Sequence, residues 1–148
     1  NLLYTRGSDV PMTNEELNTL TKISTLFGIM QLNFQRPITM FEGPLDSMFM
    51  NNSLALATAG RSTDDFDEIP TVRYMFDNDA TGKKKMAEKL KRGRPVFMWT
   101  KFLKENKLDT YNIKDLNDLI LKCFELKIDA HKKIDNYFTS NQLDLWYV

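Results

Sequence analysis

A chain of 148 residues with 42% apolar and 27% charged residues has the size and composition of one globular domain able to bury its own core. Its net charge of zero speaks against a protein that coats nucleic acid along its whole surface. One cysteine, Cys123, and one histidine, His131, exclude an internal disulfide and leave no four-ligand zinc site, so a bound metal would be held by oxygen, which favours magnesium, manganese or calcium.

No apolar run nears the roughly 18 residues of a membrane span, and the start does not read as a signal peptide, so a cytoplasmic protein is expected. The chain opens on Asn1 and reads as a piece of something longer. Thr13-Asn14-Glu15-Glu16 pairs a capping residue with acids suited to a first helical turn, and Leu17, Leu20 and Ile23 continue at three-residue spacing, which predicts a short helix. Leu26-Phe27-Gly28-Ile29 is an apolar cluster around a glycine. Ile38 to Phe41 is a strand candidate that runs straight into Glu42-Gly43, and residues 44–51 are expected to be helical with Leu45, Met48 and Phe49 on one face. Leu54 to Thr58 is a second strand candidate, ending near Gly60, followed by a polar, acidic loop over 61–70 with a short turn of helix.

Val72 to Phe76 is a third strand candidate that ends at Asp77. Residues 80–92 predict a strong helix in which Ala80, Met86, Ala87 and Leu90 punctuate a lysine-rich surface, with Gly93 as its stop. Pro95 to Trp99 is a fourth strand candidate, and two helices are expected near 115–122 and 125–138. Phe97, Trp99, Phe102, Phe124, Phe138 and Trp146 are expected in the core, Cys123 in a buried helical stripe and His131 at the surface. The tail from Leu143 to Val148 is apolar and should pack on something.

Strands alternating with helices at this spacing imply an α/β domain: a mainly parallel sheet of about four strands with helices on its faces and helical segments at both ends. Ligands of such sheets sit at the carboxyl ends of the strands. Glu42 ends the first strand, and Asp77 and Asp79 end the third; if those strands are neighbours, three carboxylates converge. Converging acids repel one another, and a bound cation relieves them. Magnesium accepts one or two carboxylates and keeps its other sites for water and phosphate oxygens. Asp46 follows one turn into the next helix. The charges are unevenly spread: Lys83 to Arg94 is basic with Glu88 as its one acid, and Asp64 to Asp79 is acidic with Arg73 as its one base, which suggests an acidic site beside a cationic shelf.

Phe41-Glu42-Gly43-Pro44-Leu45-Asp46 resembles the first motif of the Toprim family, a hydrophobic strand followed by Glu-Gly and an Asp three residues later. Ala55 to Gly60 resembles the family's second strand with its closing glycine, and Met75-Phe76-Asp77-Asn78-Asp79-Ala80-Thr81-Gly82-Lys83 resembles its Asp-x-Asp motif as primases write it. Leu26-Phe27-Gly28-Ile29 is similar to a Leu-Tyr-Gly-type signature upstream of the primase core, and Lys114-Asp115-Leu116-Asn117-Asp118-Leu119 to a Lys-Asp-x-Asn-Asp segment of primases and primase-helicases. Pro44 to Phe49 and Val96 to Trp99 resemble the T-even-phage-type primases. The resemblance covers residues 26–121. It implies a Toprim (Rossmann-like) fold with a lead-in over 1–36 belonging to the primase polymerase region, a core over 37–122 and a helical extension over 123–148.

The resemblance also implies magnesium-dependent nucleotidyl transfer, with manganese as a substitute and no zinc. The activity it implies would make RNA primers on single-stranded DNA from ribonucleotides during phage DNA replication, in the host cytoplasm, with a replicative helicase as the expected partner of the full-length protein. Glu42, Asp77 and Asp79 carry over as catalytic metal ligands, Glu42 with a further part in moving protons. Asp115 carries over as a fourth ligand, and Gly43, Asp46 and Asp118 as supporting residues. Lys83, Lys85, Lys89 and Lys114 are the candidates for phosphate contacts, with a solvated helix face as the plain alternative for the lysines. The zinc module that primases use for template choice has no counterpart in these residues, so priming by this piece alone is not implied. Three other readings stay open: a Toprim-type metal-dependent nuclease, a topoisomerase fragment, for which no tyrosine among Tyr4, Tyr74, Tyr111, Tyr137 and Tyr147 stands out as nucleophile, and a non-catalytic nucleic-acid- or replisome-binding module.

Overall fold

Strand β2 (Ile38–Phe41) is buried at all four positions, as an apolar run covered on both faces must be, and it sits in the middle of the sheet. The structure, a computed structural model, describes residues 13–57 and 62–148, the side chains of residues 20–22 excepted. Six strands form one mixed sheet in the order β1-β3-β2-β4-β5-β6, where β1 is Leu26–Phe27, β3 Ser53–Leu56, β4 Val72–Tyr74, β5 Val96–Phe97 and β6 Phe138–Thr139. The four middle strands are mutually parallel, and β1 and β6 pair antiparallel at the two edges. The lead-in and the C-terminal extension thus each add an edge strand to the sheet of the core.

The order in which the chain visits the parallel strands decides where a site can form. From β2 the chain crosses to β3 on one side; it then returns to β4 on the other side of β2 and continues outward to β5. The connections leaving β2 and β4 therefore diverge, and this switch point at their carboxyl ends is the usual ligand position in a parallel sheet. The two strands are in register, with Met40 opposite Tyr74 and the Met75 amide donating to the Met40 carbonyl at 3.0 Å. Glu42 and Asp77 each follow that last rung by two residues.

Helix α1 (Asn14–Ser24) starts at Thr13 through the expected capping box with Glu16. Helix α3 (Ala80–Lys91) buries Met86 and Leu90 and ends before Gly93, which takes a left-handed φ of 74°. Helices α2 (Pro44–Ser47), α4 (Trp99–Glu105), α5 (Leu116–Glu125) and α6 (Ala130–Ile134) complete the α-helices among the described residues. Phe97 packs its ring against Trp99, Phe102 and Phe138 at centroid distances of 5.0, 5.5 and 5.4 Å, which binds β5, α4 and β6 into one core.

Several expectations change. The helix expected over 44–51 is a single turn, and Leu45 and Met48 are exposed while Phe49 packs on the core. The fourth strand stops at Phe97, and Trp99 opens α4, where its indole N–H donates to the Phe76 carbonyl at 2.8 Å. The helix expected near 125–138 is broken at Lys127, whose φ of 58° is left-handed, and only 130–134 stays α-helical before β6. Phe124 and Trp146 are 83% and 88% exposed rather than in the core. In the tail only Val148 is buried, its carbonyl accepting from the Thr100 hydroxyl at 3.3 Å. Cys123 is buried and His131 exposed, as expected. Tyr4, Thr58 and Gly60 lie outside the described residues. Among the described residues no helix is long and apolar enough to cross a membrane.

Candidate functional site

The switch point between the ends of β2 and β4 is acidic. Burial first, then the charges of Glu42, Asp46, Asp115 and Asp79 in that order, push the Asp77 carboxyl up from 3.8 to about 6. Asp46, on α2, is also raised, chiefly by burial and further by Asp115 and Asp118, against backbone hydrogen bonds from Asn117 and Leu116 that lower it. Five acids from three separate stretches of chain thus share one electrostatic neighbourhood: Glu42 and Asp46 after β2, Asp77 and Asp79 after β4, and Asp115 ahead of α5.

Local chemistry explains how each acid is held. Asp79 is the N-cap of α3, accepting from the Gly82 amide at 2.7 Å, and Asp115 is the N-cap of α5, accepting from the Asp118 amide at 2.7 Å. The Asp118 carboxylate turns back to the Lys114 amide at 3.0 Å. Asp46 accepts from the Asn117 amide at 3.1 Å, which ties α2 to α5. Gly82 lets α3 start against the acidic turn: a Cβ there would lie 2.1 Å from the Asp77 carbonyl oxygen. Gly43 leaves open space where a Cβ would go, so it supports the site by turning the chain into α2 and not by close packing.

The cations divide into two groups. Lys85 reaches the site, its Nζ lying 2.8 Å from Glu42 Oε2. The other Glu42 oxygen is buried and has no hydrogen-bond partner among the described residues. Lys83 follows the first turn of α3 and Lys114 is exposed beside Asp115. Lys89 departs from expectation. It is 4% exposed, pairs with Asp64 and Asp67 at 2.8 and 2.6 Å, and lies over the Tyr74 ring, so it belongs to the packing of the 62–70 loop rather than to a phosphate-facing strip. Arg92 joins the same two acids at 2.8 and 3.0 Å.

Asn78 went unread in the sequence, where it counted only as the spacer of Asp77-x-Asp79. Its amide donates to the Lys114 carbonyl at 2.6 Å and its side-chain nitrogen to the Ile113 carbonyl at 2.7 Å. This one residue docks the segment carrying Asp115 onto the turn carrying Asp77. Its side-chain oxygen is buried without a partner among the described residues. The spacing alone held no signal for it, because the nearer of its two partners lies 35 residues away.

The donor set suits a hard divalent cation. It is all oxygen, burial and then the neighbouring acids disfavour the Asp77 anion, and one Glu42 oxygen is sequestered without a hydrogen-bond partner among the described residues. Among the described residues no group of three or more Asp, Glu, His or Cys side chains is arranged to hold a metal ion as it stands. Lys85 sits on Glu42, and helix capping engages one oxygen each of Asp79 and Asp115. Compared with models of known protein families and with curated proteins, the chain matches none.

Proposed function

We propose that the chain is a Toprim-type catalytic domain of a phage-type DNA primase, performing magnesium-dependent nucleotidyl transfer to make RNA primers on single-stranded DNA. One observation carries the reading: Glu42 and Asp77 leave adjacent parallel strands where the connections diverge, and Asp46, Asp79 and Asp115 add their charge to the same point. The motif resemblance over residues 26–121 supports it independently.

Magnesium, or manganese in its place, would be held by Glu42, Asp77 and Asp79 with Asp115 beside them, and would supply neutralisation of the charge that develops on a transferring phosphoryl group. The chain's own groups supply the rest. Glu42, besides helping to hold the ion, helps move the proton released by the attacking 3′-hydroxyl. Lys83, Lys85 and Lys114 offer ammonium groups to the nucleotide's phosphates. Asn78 keeps the Lys114–Asp115 segment in place against the Asp77 turn. A replicative helicase completes the assembly in the full-length protein.

Incubation with single-stranded DNA, ribonucleotides and magnesium tests the reading. Short RNA products that vanish in the Asp77→Asn and Asp79→Asn variants support it. Shortened DNA would point to a Toprim-type nuclease, and bound nucleic acid without turnover to a binding module; either result rejects primer synthesis by this chain.

A further inference from the structure

Lys85 stands one turn beyond Gly82 on α3, and the close approach that Gly82 permits holds this helix against the acidic turn. From there Lys85 spans 43 residues of sequence to reach Glu42 at 2.8 Å. The two side chains are 48% and 28% exposed, so water and ions have access to the pair. A single ammonium thus occupies one oxygen of the carboxylate whose other oxygen is buried and unpartnered among the described residues. Of the nearby lysines, Lys89 is committed to Asp64 and Asp67, and Lys84 is an exposed residue of the same helix.

We propose that Lys85 is the acidic site's own counterion: its ammonium neutralises Glu42 while no divalent ion is bound, and a divalent cation fills the site by displacing it. The proposal rests on the acidic-site reading above and adds to it a regulatory role for a residue that is not a ligand. An ammonium is a compact point charge on a flexible stem, able to compensate a carboxylate and to leave it without rearranging the backbone. Lys85 therefore sets the ion concentration at which the site fills. Once released, it is free to meet a phosphate.

Calorimetric titration of the whole chain with manganese and with magnesium tests this, using Lys85→Met, Lys85→Arg and, as a control for net charge, Lys84→Met. Lys85→Met is expected to bind manganese about tenfold more tightly, equivalent to about 1.4 kcal/mol. Lys85→Arg should stay near the parent chain, and Lys84→Met should move by no more than about twofold, because an exposed charge is screened. Thermal melts provide a second readout: without metal Lys85→Met should melt below the parent, and saturating manganese should close the gap. If Lys85→Met matches Lys84→Met while the parent chain binds manganese, the counterion proposal is overturned and the acidic site stands. If no variant binds a divalent ion, the acidic-site reading falls and the proposal falls with it.

Discussion

Replacing Asp77 with Asn should make the metal-free protein more stable at neutral pH and deaf to magnesium. The Asp77 carboxyl is raised from 3.8 to about 6 by burial and by four neighbouring acids, so at pH 7 the folded chain keeps it ionised against its surroundings. A shift of about two units corresponds to about 3 kcal/mol for a fully enclosed group. Asp77 is only partly buried, and screening by solvent reduces the expected relief to roughly 1 kcal/mol. Asn has the same shape without the charge, so the melting temperature in a chelator should rise by about 2–4 °C. Magnesium at ten times its dissociation constant should stabilise the parent chain by about 1.4 kcal/mol and the variant by far less. Differential scanning calorimetry at pH 7, with chelator and with magnesium, measures both effects. A lower melting temperature for the variant in chelator, or an undiminished response to magnesium, would refute the reasoning.

The pH dependence carries two opposite signs. Asp77 binds more protons folded than unfolded, so its contribution to metal-free stability is full below about 4 and is lost as pH rises through about 6; this slope should be missing in Asp77→Asn. Asp64 is held down to about 2, chiefly by its hydrogen bond from Lys89, so its contribution is present above 3.8 and is lost as pH falls through about 2; urea titrations across pH 2–7 resolve the two limbs. Lys89→Met should lower stability by about 2–3 kcal/mol, because it leaves Asp67 half-buried with its main partner removed, and it should flatten the acid limb; a midpoint unchanged in urea would contradict the pairing. Gly82→Ala should cost roughly 3 kcal/mol, since its Cβ meets the Asp77 backbone at 2.1 Å, and it should weaken magnesium binding by moving α3 from the acidic turn; near-normal melting would disprove that contact.

The parts of the fold that were legible in the sequence rest on short-range signals. The capping box at Thr13, the apolar run of β2, the punctuated helix after Asp79 and the glycine that stops it all act within a few residues, and all stand where the sequence places them. The expectations that failed are those in which a local pattern was outvoted by distant packing. Trp99 reads as the end of a strand, yet it opens a helix, where its buried indole donates to the Phe76 carbonyl. Phe124 reads as core by residue type, yet it lies on a face of α5 that no described residue covers, and it is exposed. Lys89 reads as a candidate for phosphate contacts on an exposed helix face, and two acids from a loop more than 20 residues upstream draw it inside.

By itself the sequence determined which residues carry charge at the ends of apolar runs, and so that Glu42, Asp77 and Asp79 would stand at strand tips. Only the tertiary structure decided that β2 and β4 are neighbours, that Asn78 brings Asp115 alongside, and that Lys85, rather than Lys83 or Lys89, meets Glu42. The reason is physical. Caps, turns and periodicity are fixed by interactions within one turn or one strand, whereas the field at a carboxylate is summed through space over groups whose distance along the chain carries no information.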